Sequence, residues 1–280
     1  MNRTKIEWAL NPDGTPGYTW NPITGCLNHV DGMCKGGGFP CYAYRLANTR
    51  LREWYLANKN LPGFTPGLIP YGEVSQMYIQ KCFNNPFYPR FWPERVSRLL
   101  DRNSAILMRH PKPRGIFVCD MSDLFGIGVP SEWTRQILQA IRDNGSDRFY
   151  LLTKQPQNLI KCSPFPENCW VGVTATNQKA HNEAVVVLSY IKASIKFISH
   201  EPLLERISLH EPYSPEDAYD WDIIGSQTKP YKPPKIEWVQ EIIESADKAG
   251  IPVFLKPNLK PLWGIPPLED DVILRQEMPK

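Results

Sequence analysis

No apolar run in the chain approaches the roughly 20 residues that a membrane-spanning helix needs. The start, MNRTKIEWAL, lacks the apolar core of a secretory signal. The expectation is a cytoplasmic protein with no membrane partner. A dominant charge is also missing, since 32 basic and 29 acidic residues leave a formal charge of +3. That balance neither requires nor excludes a nucleic-acid partner, because only clustered charge makes a binding field. Tandem repeats and low-complexity tracts are absent. The seven cysteines, an odd number, fit a disulfide framework poorly, and the cytosol keeps thiols reduced. No Gly-rich dinucleotide fingerprint follows the first strand, which removes the main reason to expect a Rossmann sheet.

What the chain does have is punctuation: 28 prolines and 18 glycines cut it into short segments. From residue 115 onward, six short apolar runs begin at Ile116, Phe149, Trp170, Ile195, Trp221 and Pro252. Their starts are 33, 21, 25, 26 and 31 residues apart, the repeat of βα units in a parallel sheet. Trp133, Ile137, Leu138 and Ile141 keep helical spacing, as do Val239, Ile242, Ile243 and Ala246, with Gly250 placed as a C-terminal cap. Tyr18-Thr19-Trp20 and Phe87 to Phe91 read as two further strands, Tyr42 to about Asn58 as a helix, and Leu61 to Tyr71 as a Pro/Gly-rich connector. These elements predict one α/β domain over residues 1–280, a partial or complete parallel β/α barrel. The cysteine-rich loop falls at about 20–45 and a Pro-rich tail at about 257–280. An open doubly wound sheet is the alternative.

Nearly every run ends in polar residues. Asp120, Ser122 and Asp123 follow the first; Thr153 and Lys154 the second; Thr174, Thr176 and Asn177 the third. Ser199, His200 and Glu201 follow the fourth, Ser226 the fifth, and Lys256 with Asn258 the sixth. One such cluster only begins a loop, but six in succession predict an active-site ring at one end of parallel strands. Thr153 and Lys154 suit a carboxylate or phosphate, Thr174, Thr176 and Asn177 suit ribose hydroxyls, and His200 and Glu201 can act as acid and base. For each alone, a structural hydrogen bond explains the residue equally well. Ser226 to Lys235 carries three lysines and Tyr231, a pattern that holds a nucleic-acid backbone or simply a solvated loop.

Three cysteines, Cys26, Cys34 and Cys41, crowd into 16 residues. Three thiolates can hold three irons of a [4Fe–4S] cube and leave the fourth iron open. Zinc with His29 as fourth ligand is a second reading, although seven- and six-residue spacings match no common zinc pattern. Unligated thiols are a third. Cys119, inside an apolar run, reads as a small buried residue. Cys162 and Cys169, with six residues between them, allow a second metal site, and Cys82 has no functional neighbours.

Trp20-Asn21-Pro22-Ile23-Thr24-Gly25-Cys26, Cys41-Tyr42-Ala43 and Phe117 to Phe125 resemble the three-Cys-motif family of phage-type proteins. So do Leu152-Thr153-Lys154, Gly172-Val173-Thr174 with Asn177-Gln178, and Glu201-Pro202-Leu203. The resemblance extends to the radical S-adenosylmethionine superfamily. It implies a [4Fe–4S] cluster on Cys26, Cys34 and Cys41, S-adenosylmethionine as second cofactor, and its reductive cleavage to a 5′-deoxyadenosyl radical. It also implies a reductant protein of flavodoxin or ferredoxin type, and allows a nucleic acid or nucleotide as substrate. Tyr42 takes the aromatic position beside the last cysteine. No Gly-Gly-Glu segment is present for the methionine amino group, so Asp120, Ser122 and Asp123 are its substitutes. Thr153, Thr174, Thr176, Asn177 and Ser226 complete the cofactor-binding set, and Lys154, His200 and Glu201 the catalytic one. The superfamily's C-x3-C-x2-C loop is enlarged here to C-x7-C-x6-C. A non-catalytic iron–sulfur or zinc module serving a partner protein is the alternative function.

Overall fold

A computed structural model of the chain describes residues 1–63, 73–101, 113–209, 218–264 and 274–279. Its centre is an eight-stranded sheet. The strands are β1 (Asn2–Arg3), β2 (Tyr18–Trp20), β3 (Gly115–Val118), β4 (Arg148–Thr153), β5 (Cys169–Thr174), β6 (Ile195–His200), β7 (Trp221–Ile224) and β8 (Val253–Leu255). They lie in chain order; β2 to β8 are parallel and β1 is antiparallel to β2. The helices are α1 (Tyr42–Ala47), α2 (Arg52–Ala57), α3 (Glu73–Asn84), α4 (Pro93–Leu100), α5 (Ser131–Asn144), α6 (Gln178–Tyr190) and α7 (Ile236–Ala249). The fold is α/β with a mostly parallel sheet, as the βα spacing predicts. No helix among the described residues is long and apolar enough to cross a membrane.

Because the strand order never reverses and parallel crossovers are right-handed, successive connections fall on one face of the sheet. Leu99 of α4, Ile137 and Ile141 of α5, Ala184 and Leu188 of α6, and Val239 and Ile242 of α7 bury against Val118, Leu151, Val171, Ile198 and Ile224. The opposite face carries Phe117, Tyr150, Trp170, Phe197, Trp221 and Phe254, one from each of β3 to β8, all packed with Trp8. In a flat sheet β3 and β7 would stand about 19 Å apart. Yet the Trp8 indole reaches both Phe117 (5.1 Å between ring centroids) and Trp221 (6.2 Å). The sheet is strongly curved, with the aromatic rings inside.

The N-terminal ends of the strands are closed by residues 6–17. The Tyr150 hydroxyl donates to the Leu10 carbonyl (2.6 Å), and the Gly115 amide to Asn11 Oδ1 (2.8 Å). Arg114 and Asp147, both fully buried, pair side by side at the same end.

Two expectations need correction, and two segments gain detail. Arg90–Phe91 leaves the central sheet and pairs with Ile23–Thr24, since Pro89 offers no donor to a central ladder. The helix expected from Tyr42 to Asn58 breaks in two. Asn48 Nδ2 and Thr49 Oγ1 bond back to the carbonyls of Tyr44 and Arg45, competing with the helix for its acceptors. Within the Pro-rich tail, residues 275–277 cover the edge of β8, the Leu255 amide donating to the Arg275 carbonyl and the Glu277 amide to that of Val253. The lysine-bearing loop after β7 is a hairpin, Gln227–Thr228 against Tyr231–Lys232. The connector from Leu61 to Tyr71 lies mostly outside the described residues.

Candidate functional site

The cysteine loop begins where Thr24 is pinned by the Trp92 indole N–H (2.9 Å). The Cys26 amide donates to the Phe87 carbonyl. That segment is itself held by Arg90, whose buried guanidinium donates to the carbonyls of Asn58, Asn85, Tyr88 and Phe83. Burial lowers its pKa to about 10. Then comes a two-residue hairpin, His29–Val30 against Met33–Cys34. Its turn residues, Asp31 (φ 46°) and Gly32 (φ 84°), both lie in the left-handed region, the type I′ geometry that Asp-Gly favours. Cys41 caps α1, its Sγ accepting from the Tyr44 amide (3.5 Å), and the Cys26 Sγ accepts from the Asn28 amide (3.3 Å). Cys26, Cys34 and Cys41 are unbridged.

The three sulfurs are electrostatic neighbours. Burial, then the charge of Asp123, and further the other two cysteines push the Cys26 thiol up to about 12. Burial raises Cys34 as well, against the opposing pull of the Lys154 ammonium. Buried thiols of this kind stay protonated unless a cation draws off the proton.

Strand ends receive the loop. Gly25 donates its amide to the Met121 carbonyl and accepts from Ser122 Oγ (2.8 Å). Gly36 lies against Lys154, where an added Cβ would come within 2.8 Å of that side chain, and Gly37 lies against Thr176 Oγ1, at 2.7 Å. The Lys154 ammonium stands 5.8 Å from the Phe39 ring and donates to Thr174 Oγ1 (3.4 Å). The Tyr42 ring is half-exposed, but its hydroxyl is buried and donates to the Asp120 carbonyl; burial raises its pKa, and the nearby charges of Asp120, Cys41 and Glu201 add to this. Cys26, Cys34 and Cys41 are thereby set over the carboxyl ends of β3, β4 and β5.

Strand alternation sorts the remaining candidates. Lys154, Thr174 and Glu201 share the inward parity of Leu152, Trp170 and Phe197, as do Ser199 and Lys256. Lys256 bonds Glu201 and also pairs with Glu7 at 3.2 Å. Burial opposes its charge, but the two carboxylates prevail and raise its pKa. Ser199 Oγ and Thr176 Oγ1 are buried with no hydrogen-bond partner.

Other candidates lie elsewhere or are fully engaged. His200 faces the helices, where it stacks on His181 of α6 (5.5 Å), with Nε2 bonded to Asp222 Oδ1 (3.0 Å) and Nδ1 set to donate to the Ala175 carbonyl (3.3 Å). With both ring nitrogens committed, the expected acid–base role finds no support in its position. Thr153 shares that outward parity and bonds Asp123 (2.8 Å). Asp123 also accepts from the amides of Lys154 and Phe125, and burial raises its pKa against these bonds. Asn177 caps α6 through Ala180, and Ser226 exchanges bonds with Asn258. His29 stacks between Tyr44 and Phe87, its Nδ1 accepting from the Gly32 amide (3.3 Å). Among the described residues no three His, Cys, Asp or Glu side chains converge on a single metal ion.

Glu7 belongs to no sequence motif, and Asn21 stands in the Trp20–Cys26 motif without an assigned role. Glu7 sits between apolar Ile6 and Trp8, the only local hint that its half-buried carboxylate turns inward to Lys256. Asn21 donates to Asp120 Oδ1 and accepts from the Met121 amide.

Residues 3–260 match a family described as a protein of unknown function, DUF5131. No curated protein and no solved structure matches the chain.

Proposed function

We propose that the chain, which belongs to the DUF5131 family, holds a [4Fe–4S] cluster on Cys26, Cys34 and Cys41 and works as a radical S-adenosylmethionine-type enzyme. The observation that carries this reading is the docking of three unbridged, neighbouring thiols over the carboxyl ends of parallel strands. This is the end where β/α barrels build their active sites. The finer fold reading is a partial parallel β/α barrel. The one-sided helical layer and the rings gathered round Trp8 support it.

The donor set fits such a cluster. Buried thiols become good ligands once a metal displaces their protons, and Lys154 near Cys34 favours the thiolate. Gly36 and Gly37 let the loop lie directly on Lys154 and Thr176. When bound, cluster and S-adenosylmethionine together supply one-electron reductive chemistry and a carbon-centred radical. This chain's own residues do the rest. Thr174, Thr176 and Ser199 offer hydroxyls to a polar ligand, the last two unpartnered and buried. Glu201, Lys256 and Glu7 hold a fixed charge set inside the strands. The aromatic floor round Trp8 keeps water from the far end. A nucleotide or nucleic acid is the proposed substrate class and a flavodoxin- or ferredoxin-type protein the proposed reductant.

Protein purified without oxygen should be brown with about four irons per chain. Replacing Cys26, Cys34 and Cys41 together by Ala should abolish the colour, and Cys82→Ala should not. Stoichiometric zinc without iron would refute the cluster. Iron that supports no 5′-deoxyadenosine formation from S-adenosylmethionine under reduction would leave a non-catalytic cluster module instead.

A further inference from the structure

A cavity of about 470 Å³ opens at the sheet edge, between β1, β2 and helices α1, α2 and α4. Its size is within the roughly 300–1,000 Å³ of small-ligand sites. No cysteine lines it. Three arginines do: Arg50, Arg95 and Arg98. None of them belongs to an ion pair among the described residues. Three clustered guanidinium groups face a single lining carboxylate, Asp120, so positive charge is in excess, and an anion relieves the remaining repulsion.

Arg95 is the most constrained. Its guanidinium lies between the rings of Trp92 (4.0 Å) and Trp54 (4.9 Å), and Nη1 donates to the Asn21 carbonyl. Its Nη2 is buried with no acceptor. A buried cationic donor left unsatisfied is costly, and its natural complement is an oxyanion bound in the fork geometry of arginine.

The other walls carry different chemistry. The rings of Tyr42 and Trp54 are 49% and 55% exposed, and both line the cavity. Asp120 lines it too, with Oδ1 held by Asn21. Exposed rings stack planar bases, a carboxylate accepts from a sugar diol, and guanidinium groups take phosphate.

We propose that this cavity binds a nucleoside monophosphate, with the phosphate on Arg50, Arg95 and Arg98, the base against Trp54 and Tyr42, and the ribose hydroxyls on Asp120. The proposal does not rest on the iron–sulfur reading, since it uses no thiol, and it gives Tyr42 and Asp120 to the nucleotide rather than to S-adenosylmethionine.

Titration calorimetry on the full chain tests it with adenosine 5′-monophosphate, adenosine and inorganic phosphate as separate probes. The monophosphate should bind about tenfold or more tighter than either of the others, because both halves of the site contribute only to the whole ligand. Arg50→Gln and Arg98→Gln change exposed side chains, so folding is spared, and each should weaken the monophosphate about fivefold to tenfold while leaving adenosine unchanged. Trp54→Ala should weaken nucleoside and nucleotide alike. Arg135→Gln, on α5, should change nothing. Iron-free and iron-loaded protein should agree, which separates this result from the fate of the cluster. Equal affinities for adenosine and its monophosphate would overturn the proposal. So would an unaltered Arg50→Gln/Arg98→Gln double variant, or no heat with millimolar monophosphate.

Discussion

On their outer face, the central strands present Val118, Leu151, Val171, Ile198 and Ile224 to the helices. On their inner face, the same strands present Phe117, Tyr150, Trp170, Phe197, Trp221 and Phe254 at one end, and Lys154, Thr174, Ser199, Glu201 and Lys256 at the other. The outer face is mostly aliphatic, with Phe149 among its side chains, and polar groups enter it at Thr153 with Asp123 and at His181, His200, Tyr219 and Asp222. Close packing against helices favours branched aliphatic side chains over most of it. A curved interior needs bulk only where it is shut. The aromatic end fills the interior, and the polar end lies beside the cysteine loop.

Four experiments sharpen or break this comparison. Trp8→Ala should have the largest effect, because one indole touches rings from four strands. Loss of about 4 kcal/mol in urea unfolding is expected. A loss below about 1 kcal/mol would mean that the aromatic end does not close the interior.

Next comes Lys256→Ala, which leaves Glu7 and Glu201 facing each other without a cation. Uncompensated buried charge costs several kcal/mol; both carboxylates keep some solvent, so about 2 kcal/mol is expected. Combining Lys256→Met with Glu7→Gln and Glu201→Gln should recover most of it. No recovery would show that packing of the lysine stem, not charge, sets the inner polar end.

On the outer face, burial and then the His200 charge lower the His181 pKa from 6.5 to about 3. Below pH 6.5 the unfolded chain takes up this proton and the folded chain does not. The stability is therefore complete above pH 6.5 and lost as pH falls towards 3. At pH 5 the loss is about 2 kcal/mol. Urea midpoints at pH 7.5 and 5.0 check it, and His181→Leu should flatten the difference. An unchanged slope would place the acid sensitivity in some other group.

The smallest effect belongs to the cysteine loop. Gly32→Ala puts a side chain on a left-handed turn residue and a Cβ 2.5 Å from the Tyr44 ring. A loss of about 1 kcal/mol in thermal or urea unfolding is expected. Iron content per folded chain should fall with it, because the turn sets the spacing of Cys26 and Cys34. Full iron in a destabilised Gly32→Ala protein would separate the hairpin from the metal site.

Much of this was legible in the chain. All six apolar runs from Ile116 to Leu255 became strands of the sheet, and Gly250 ends α7 in the left-handed conformation at φ 67°. The Asp31-Gly32 pair is a local hairpin signal, and the turn it forms lies between Cys26 and Cys34. The cysteine loop and the polar strand ends were visible as residues, but not the division among them. His200 and Glu201 are neighbours in sequence, yet one packs under α6 and the other turns inward to Lys256.

Local sequence thus determined the strands, their repeat and the crowding of three thiols, because apolar runs, turn residues and spacing act over a few residues. Tertiary structure decided which strand face became the interior. It also decided that Trp8 and Glu7 enter that interior from outside the sheet, and that Arg50, Arg95 and Arg98 share one cavity. Alternation along a strand is local, but its phase relative to the core is set by sheet curvature. Curvature is a property of all the strands together.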